Sequence, residues 1–202
     1  CTFMGTDVGL RFKSNRGRGG VVENIYISDI YMTDIPSQAI SFNLYYGGKS
    51  IEETLAEGGN TLSSKAMPVN EETPQFKNIS IKNVTIKGAQ QAVFLQGLPE
   101  MNLENIEISN LTGNAKKGFS IIDANRIKIS NAKLDIEETT VFEIYNTKNM
   151  SLKNVEFNST SPKAITVNGE NSQNIEFVSS ANFNLANKTT VGETVPKGAV
   201  KF

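Results

Sequence analysis

The chain has 202 residues, 38% of them hydrophobic, with a formal net charge of -1. This composition supports one domain with a sizeable core and argues against a general nucleic-acid binder. With no histidine, one cysteine (Cys1) and no apolar run of spanning length, it excludes His-based triads, most zinc sites, internal disulfides and an apolar membrane helix.

In chain order, the first predicted element is a strand over Gly9-Leu10-Arg11-Phe12-Lys13. Side chains alternate along a strand, so Arg11 and Lys13 point to one face and Phe12 to the other. Two fixed cations on one face suit a small planar anion such as a sugar carboxylate. Arg16 and Arg18 follow within Ser14-Asn15-Arg16-Gly17-Arg18-Gly19-Gly20, where they extend a positive rim.

Next comes a template that recurs. It begins as Asn24-Ile25-Tyr26-Ile27-Ser28-Asp29-Ile30 and returns as Asn78-Ile79-Ser80-Ile81-Lys82-Asn83-Val84, then Asn105-Ile106-Glu107-Ile108-Ser109-Asn110-Leu111 and Arg126-Ile127-Lys128-Ile129-Ser130-Asn131-Ala132. Looser copies start at Asn149 and Asn174. Ile25, Ile79, Ile106, Ile127, Met150 and Ile175 are separated by 54, 27, 21, 23 and 25 residues. Each copy alternates apolar and polar residues with period two, a strand signature. A second strand follows each of the first five copies after a short polar turn: Ala39-Ile40-Ser41-Phe42, Ala92-Val93-Phe94-Leu95, Gly118-Phe119-Ser120-Ile121, Val141-Phe142-Glu143-Ile144 and Ala164-Ile165-Thr166-Val167.

Two or three short strands per 21–27 residues, without helical pattern between them, predict the coils of a parallel β-helix, about six in number. Four residues beyond the template isoleucine stand Asp29, Asn83, Asn110, Asn131, Asn154 and Ser179. Recurring asparagines there predict a stack of side-chain amides, each bonding the next coil at a bend. The sequons at Asn78, Asn83, Asn110 and Asn158 are correspondingly weak glycosylation signals.

The long first interval marks an insertion of roughly thirty polar, Gly-rich residues between Phe42 and Phe76, a kind of excursion that usually shapes one functional face. Residues 1–183 are expected to form the solenoid and residues 184–202 a cap or tail. A β-helix needs a polar cap at each end, and none precedes Thr2. The expectation is the C-terminal part of a longer solenoid, with end-to-end pairing of two copies as the alternative.

On these residues the chain resembles bacterial polygalacturonase-like glycoside hydrolases, the pectinase family of right-handed parallel β-helices. The match is most specific at Gly9-Leu10-Arg11-Phe12-Lys13-Ser14 and Gly17-Arg18-Gly19-Gly20-Val21-Val22-Glu23-Asn24-Ile25. The resemblance implies that Arg11 and Lys13, as the family's Arg-X-Lys motif, contact a galacturonate carboxylate, and that Tyr45 or Tyr46 lines the cleft. It also implies inverting hydrolysis of α-1,4 galacturonosyl bonds, no cofactor, an acidic polysaccharide as partner, and a secreted or periplasmic setting. The family's acids lie upstream of the motif, in an Asn-Thr-Asp segment and an Asp-Asp pair followed by Gly-His-Gly; none is present here. Gly5-Thr6-Asp7 lies just before the Arg-X-Lys strand, and Asp7 reads as a turn or surface carboxylate.

This chain is therefore expected to supply the carboxylate clamp and part of the cleft, and to be inactive without the coils bearing the acids. Phe94 and Gln96 share the outward register of Arg11 and Lys13, and either line the cleft or lie beneath the insertion. Two other readings stay open. A polysaccharide lyase needs a calcium-binding carboxylate cluster; Glu52, Glu53 and Glu57 lie in the insertion rather than on a rigid strand. A non-catalytic carbohydrate-binding or structural β-helix fits the missing acids.

Overall fold

The computed structural model describes residues 1–45, 65–138, 140–180 and 183–202. It is all-β. The strands are β1 (Thr2–Met4), β2 (Leu10–Lys13), β3 (Val21–Asn43), β4 (Gln75–Gln96), β5 (Leu103–Ala115), β6 (Lys117–Ile122), β7 (Ala124–Ile136), β8 (Phe142–Tyr145), β9 (Lys148–Asn158), β10 (Ile165–Asn168), β11 (Gln173–Val178), β12 (Thr189–Val191) and β13 (Val200–Lys201). All thirteen belong to one sheet, and every pairing between them is parallel. This is the arrangement of a parallel solenoid, in which each rung lies against the rungs before and after it. Residues 184–202 contain a single 3-10 turn, Ala186–Lys188, followed by β12 and β13, which pair in parallel with β10 and β11.

The template copies and the strands after them are not separate everywhere. In β3 and β4 they fuse into 23- and 22-residue strands that bend without breaking. The bends fall where residues adopt the left-handed conformation. Asp29, Asn83, Asn110, Asn131 and Asn154 have φ between 53° and 60°. Most side chains are strained there by about 1–2 kcal/mol, whereas Asn and Asp tolerate it through local hydrogen bonding.

Those corner side chains stack as the repeat predicts. Asn83 Nδ2 donates to Asp29 Oδ1 at 2.9 Å, Asn110 to Asn83 at 2.9 Å, Asn131 to Asn110 at 3.1 Å and Asn154 to Asn131 at 2.8 Å. A second amide ladder runs along the preceding corner: Asn105 donates to Asn78, Asn149 to Asn125, and Asn174 to Asn149, each at 2.8 Å. One rung slips. Arg126 takes the left-handed position with φ 55°, and the neighbouring Asn125 supplies the ladder amide. The sequons at Asn83 and Asn110 are thus committed to structural hydrogen bonds.

Inside, identical positions stack on one another. Ile27, Ile81, Ile108, Ile129, Leu152 and Phe177 align in register, and all but Ile27 are fully buried. Rings do the same: Phe12 stacks on Phe42 with centroids 4.2 Å apart, and Phe119 on Phe142 at 4.5 Å. This burial drives the coils together, since one coil alone would leave its apolar row in water. Among the described residues no helix is long and apolar enough to cross a membrane.

Candidate functional site

One row of strands carries the candidate site. It runs through β2, the last residues of β3 and β4, then β6, β8, β10 and β12. In β2, Leu10 and Phe12 are half-buried while Arg11 and Lys13 are exposed. Phe12 is fixed by its stack on Phe42 and by an edge contact with Phe76 at 6.1 Å. Because Phe12 faces the core, strand alternation puts Arg11 and Lys13 together on the outer face. Their register partners are Ser41 and Asn43, and beyond these Phe94 and Gln96. Phe94 is half-buried, whereas Gln96 is buried and its Oε1 accepts no hydrogen bond from a described residue.

The turn after β2 holds the other two arginines differently. Arg16 binds Glu100 in a two-point ion pair, Nε to Oε1 at 2.6 Å and Nη2 to Oε2 at 2.9 Å. Its guanidinium lies 5.2 Å from the centre of the Tyr45 ring, and the Glu100 hydrogen bond raises its pKa above the ordinary value. Arg16 is therefore a clamp between turns and not part of a positive rim, a correction to the sequence reading. Glu100 neutralises its charge. Burial pushes the Glu100 carboxyl up, but the Arg16 hydrogen bond, its own backbone N–H, the Arg16 charge and the Met67 N–H bring it below the usual range.

Arg18 is exposed at the tip of this turn. The N–H groups of Gly17 and Gly19 both donate to the Glu72 carbonyl, at 3.0 and 2.9 Å. A side chain at Gly19, with φ +60°, would collide with the Glu71 carbonyl oxygen, so glycine is required for this docking. Of the two tyrosines, Tyr45 is half-buried, and its N–H donates to Asn43 Oδ1 at 2.7 Å. It sits two residues past the register partner of Lys13, with its ring against Arg16. Tyr46 lies outside the described residues, as do Glu52, Glu53 and Glu57.

Two carboxylates the sequence reading passed over stand near this end of the row. Glu100 is one; Asp123, immediately after β6, is the other. Asp123 is 3% exposed and has φ 48°. Burial raises its pKa from 3.8 to about 7, helped by the nearby Glu100 charge and opposed by the Asn146 hydrogen bond and by Lys148 and Arg16. A carboxyl in this environment is harder to ionise than an exposed one. Nothing local in Leu98-Pro99-Glu100-Met101 signals the pairing with Arg16. For Asp123 a signal existed: aligning strand ends sets Ile122-Asp123 against Tyr145-Asn146, another left-handed corner with φ 47°.

Asp7 has a turn role: its Oδ1 accepts from Ser37 Oγ at 2.9 Å and its carbonyl from Ser37 N–H at 3.1 Å. Among the described residues no group of three or more His, Cys, Asp or Glu side chains could hold a metal ion. No family model, curated protein or solved structure matches the chain.

Proposed function

We propose that this chain is part of a glycoside hydrolase acting on polygalacturonate or pectin by inverting hydrolysis of α-1,4 galacturonosyl bonds. In this reading the solenoid is right-handed, of about six coils, and Arg11 and Lys13 bind the uronate carboxylate. The pair would fix the sugar ring, and it would select for acidic sugars because a neutral hexose offers no carboxylate to either cation. Tyr45, seated against Arg16, walls the end of the cleft, and Arg18 stands at its rim. The reacting acid and base belong to coils that precede β2. An inverting pair needs about 6.5–9.5 Å between carboxylates, a spacing available to side chains on neighbouring or next-neighbouring rungs about 4.8 Å apart. A polymeric substrate implies a secreted or periplasmic protein.

The observation that carries this reading is the shared outward face of Arg11 and Lys13, locked by the Phe12 stack.

The test is binding of trigalacturonate by calorimetry together with reducing-sugar release from polygalacturonate. The chain should bind weakly and release no sugar. Arg11→Ala should weaken binding about ten- to a hundredfold, the range for a charge-assisted hydrogen bond. Robust turnover by the 202 residues, or unchanged binding in Arg11→Ala, would overturn the reading.

A further inference from the structure

The outer positions of the candidate row change character along its length. Taken in register, they are Arg11 and Lys13 in β2, Ser41 and Asn43 in β3, Phe94 and Gln96 in β4, Ser120 and Ile122 in β6, Glu143 and Tyr145 in β8, and Thr166 and Asn168 in β10. Both cations stand at one end. The single anion of this set, Glu143, stands in line with Arg11 four rungs away. At about 4.8 Å per rung that is roughly 19 Å, well beyond the ~8 Å screening length at physiological salt. A ligand group beside Glu143 therefore feels Glu143 and not the distant cations.

Glu143 also has a hydroxyl neighbour on the preceding rung, in a long and weak contact. Gln91 Nε2 donates to Ser120 Oγ at 2.9 Å, and Ser120 Oγ donates to Glu143 Oε2 at 3.3 Å. The carboxylate is exposed, with the half-buried Tyr145 two residues on and the half-buried Thr166 in register on the next rung. An ionised carboxylate only accepts hydrogen bonds, so it suits sugar hydroxyls and repels another carboxylate. The Tyr145 ring offers an apolar flank with a polar tip.

We propose that the β6–β8–β10 stretch of this face binds uncharged sugar units, specified by Glu143, Ser120 and Tyr145. The inference rests on the uronate reading of Arg11 and Lys13 and narrows its substrate class. The accommodated oligosaccharide carries a free carboxylate at the β2 end and neutral or esterified units toward β10. A run of free uronates along the whole face is disfavoured at Glu143.

The experiment compares trigalacturonate with octagalacturonate by calorimetry at low salt, using the full chain and the variants Glu143→Gln and Arg11→Ala. Glu143→Gln should raise octamer affinity about two- to fivefold, the size expected of one exposed charge interaction, and leave trimer affinity unchanged. Esterifying the octamer's carboxylates at the end distal to Arg11 should give the same gain in the unmodified chain. If Glu143→Gln leaves octamer affinity unchanged while Arg11→Ala still weakens the trimer, the neutral-sugar segment is wrong and the uronate site stands. If the trimer does not bind, or binds Arg11→Ala equally, both fall together.

Discussion

The seven-residue template stands in two surroundings, at residues 24–30 in β3 and at residues 105–111 in β5. Ile106 and Ile108 have rungs on both sides and are 0% exposed. Among the described residues Ile25 and Ile27 have a rung on one side only and are half-buried, and Tyr26 between them is 81% exposed. The corner aspartates repeat the contrast. Asp29, at the free end of the amide ladder, is pulled below its ordinary pKa by hydrogen bonds from Ser28 and Asn83. Asp123 has neighbouring rungs above and below and is pushed up to about 7 by burial. Burial and charge state here belong to the stack and not to the template.

Core truncation should separate the two surroundings most widely. Ile106→Ala should cost about 2–5 kcal/mol in urea unfolding, the range for deleting a buried branched side chain without full collapse. Ile25→Ala, at the same template position with one neighbouring rung, should cost less than half as much. Equal losses would break the comparison by showing that the β3 rung is as well packed as the interior.

Acid–base linkage gives the next effect. The folded chain holds a proton on Asp123 between about pH 4 and 7 that the unfolded chain has already released. Asp123 therefore contributes stability that is fully present below its unfolded pKa and is lost as pH rises toward 7, by at most about 4 kcal/mol. Asp29 and Glu100, with lowered pKa values, act in the opposite sense: their contributions are present above their unfolded pKa values and fade in acid. Asp123→Asn keeps a residue suited to the left-handed corner and an acceptor for Asn146, so melting temperature should flatten between about pH 4 and 7. An unchanged slope in that variant would place the source of the pH dependence away from Asp123.

The fold was legible because a solenoid writes its geometry repeatedly. Ile79, Ile106 and Ile127 announce the inward row, and Asn83, Asn110, Asn131 and Asn154 announce the stacked corner. The second amide ladder was harder to see, because Arg126 occupies the expected asparagine slot and the amide comes from Asn125 one residue earlier. The shared face of Arg11 and Lys13 was legible from the same period of two. The Arg16–Glu100 clamp was not: its partners are separated by 84 residues, lie in turns that do not repeat, and meet only because β2 and β4 flank β3 in one row. Long-range pairing between irregular segments leaves no periodic trace, so local reading assigned Arg16 to the positive rim.

The amide ladder yields the smallest and most selective expectation. Asn110 donates to Asn83, accepts from Asn131, and holds a left-handed backbone. Asn110→Ala removes both bonds and places a side chain without local hydrogen bonding at φ 55°, for a combined cost of about 2–3 kcal/mol. Asn110→Gly restores the backbone freedom and leaves only the lost bonds, about half that cost. Asp29→Gly, at the ladder's end, gives up the Asn83 bond and its exposed bond from Ser28, and its loss should fall below both. Urea midpoints that rise in the order Asn110→Ala, Asn110→Gly, Asp29→Gly would fit a ladder whose strength comes from having neighbours on both sides. Identical values for the two Asn110 variants would assign the corner's role to the amide bonds alone, with no share for the left-handed backbone.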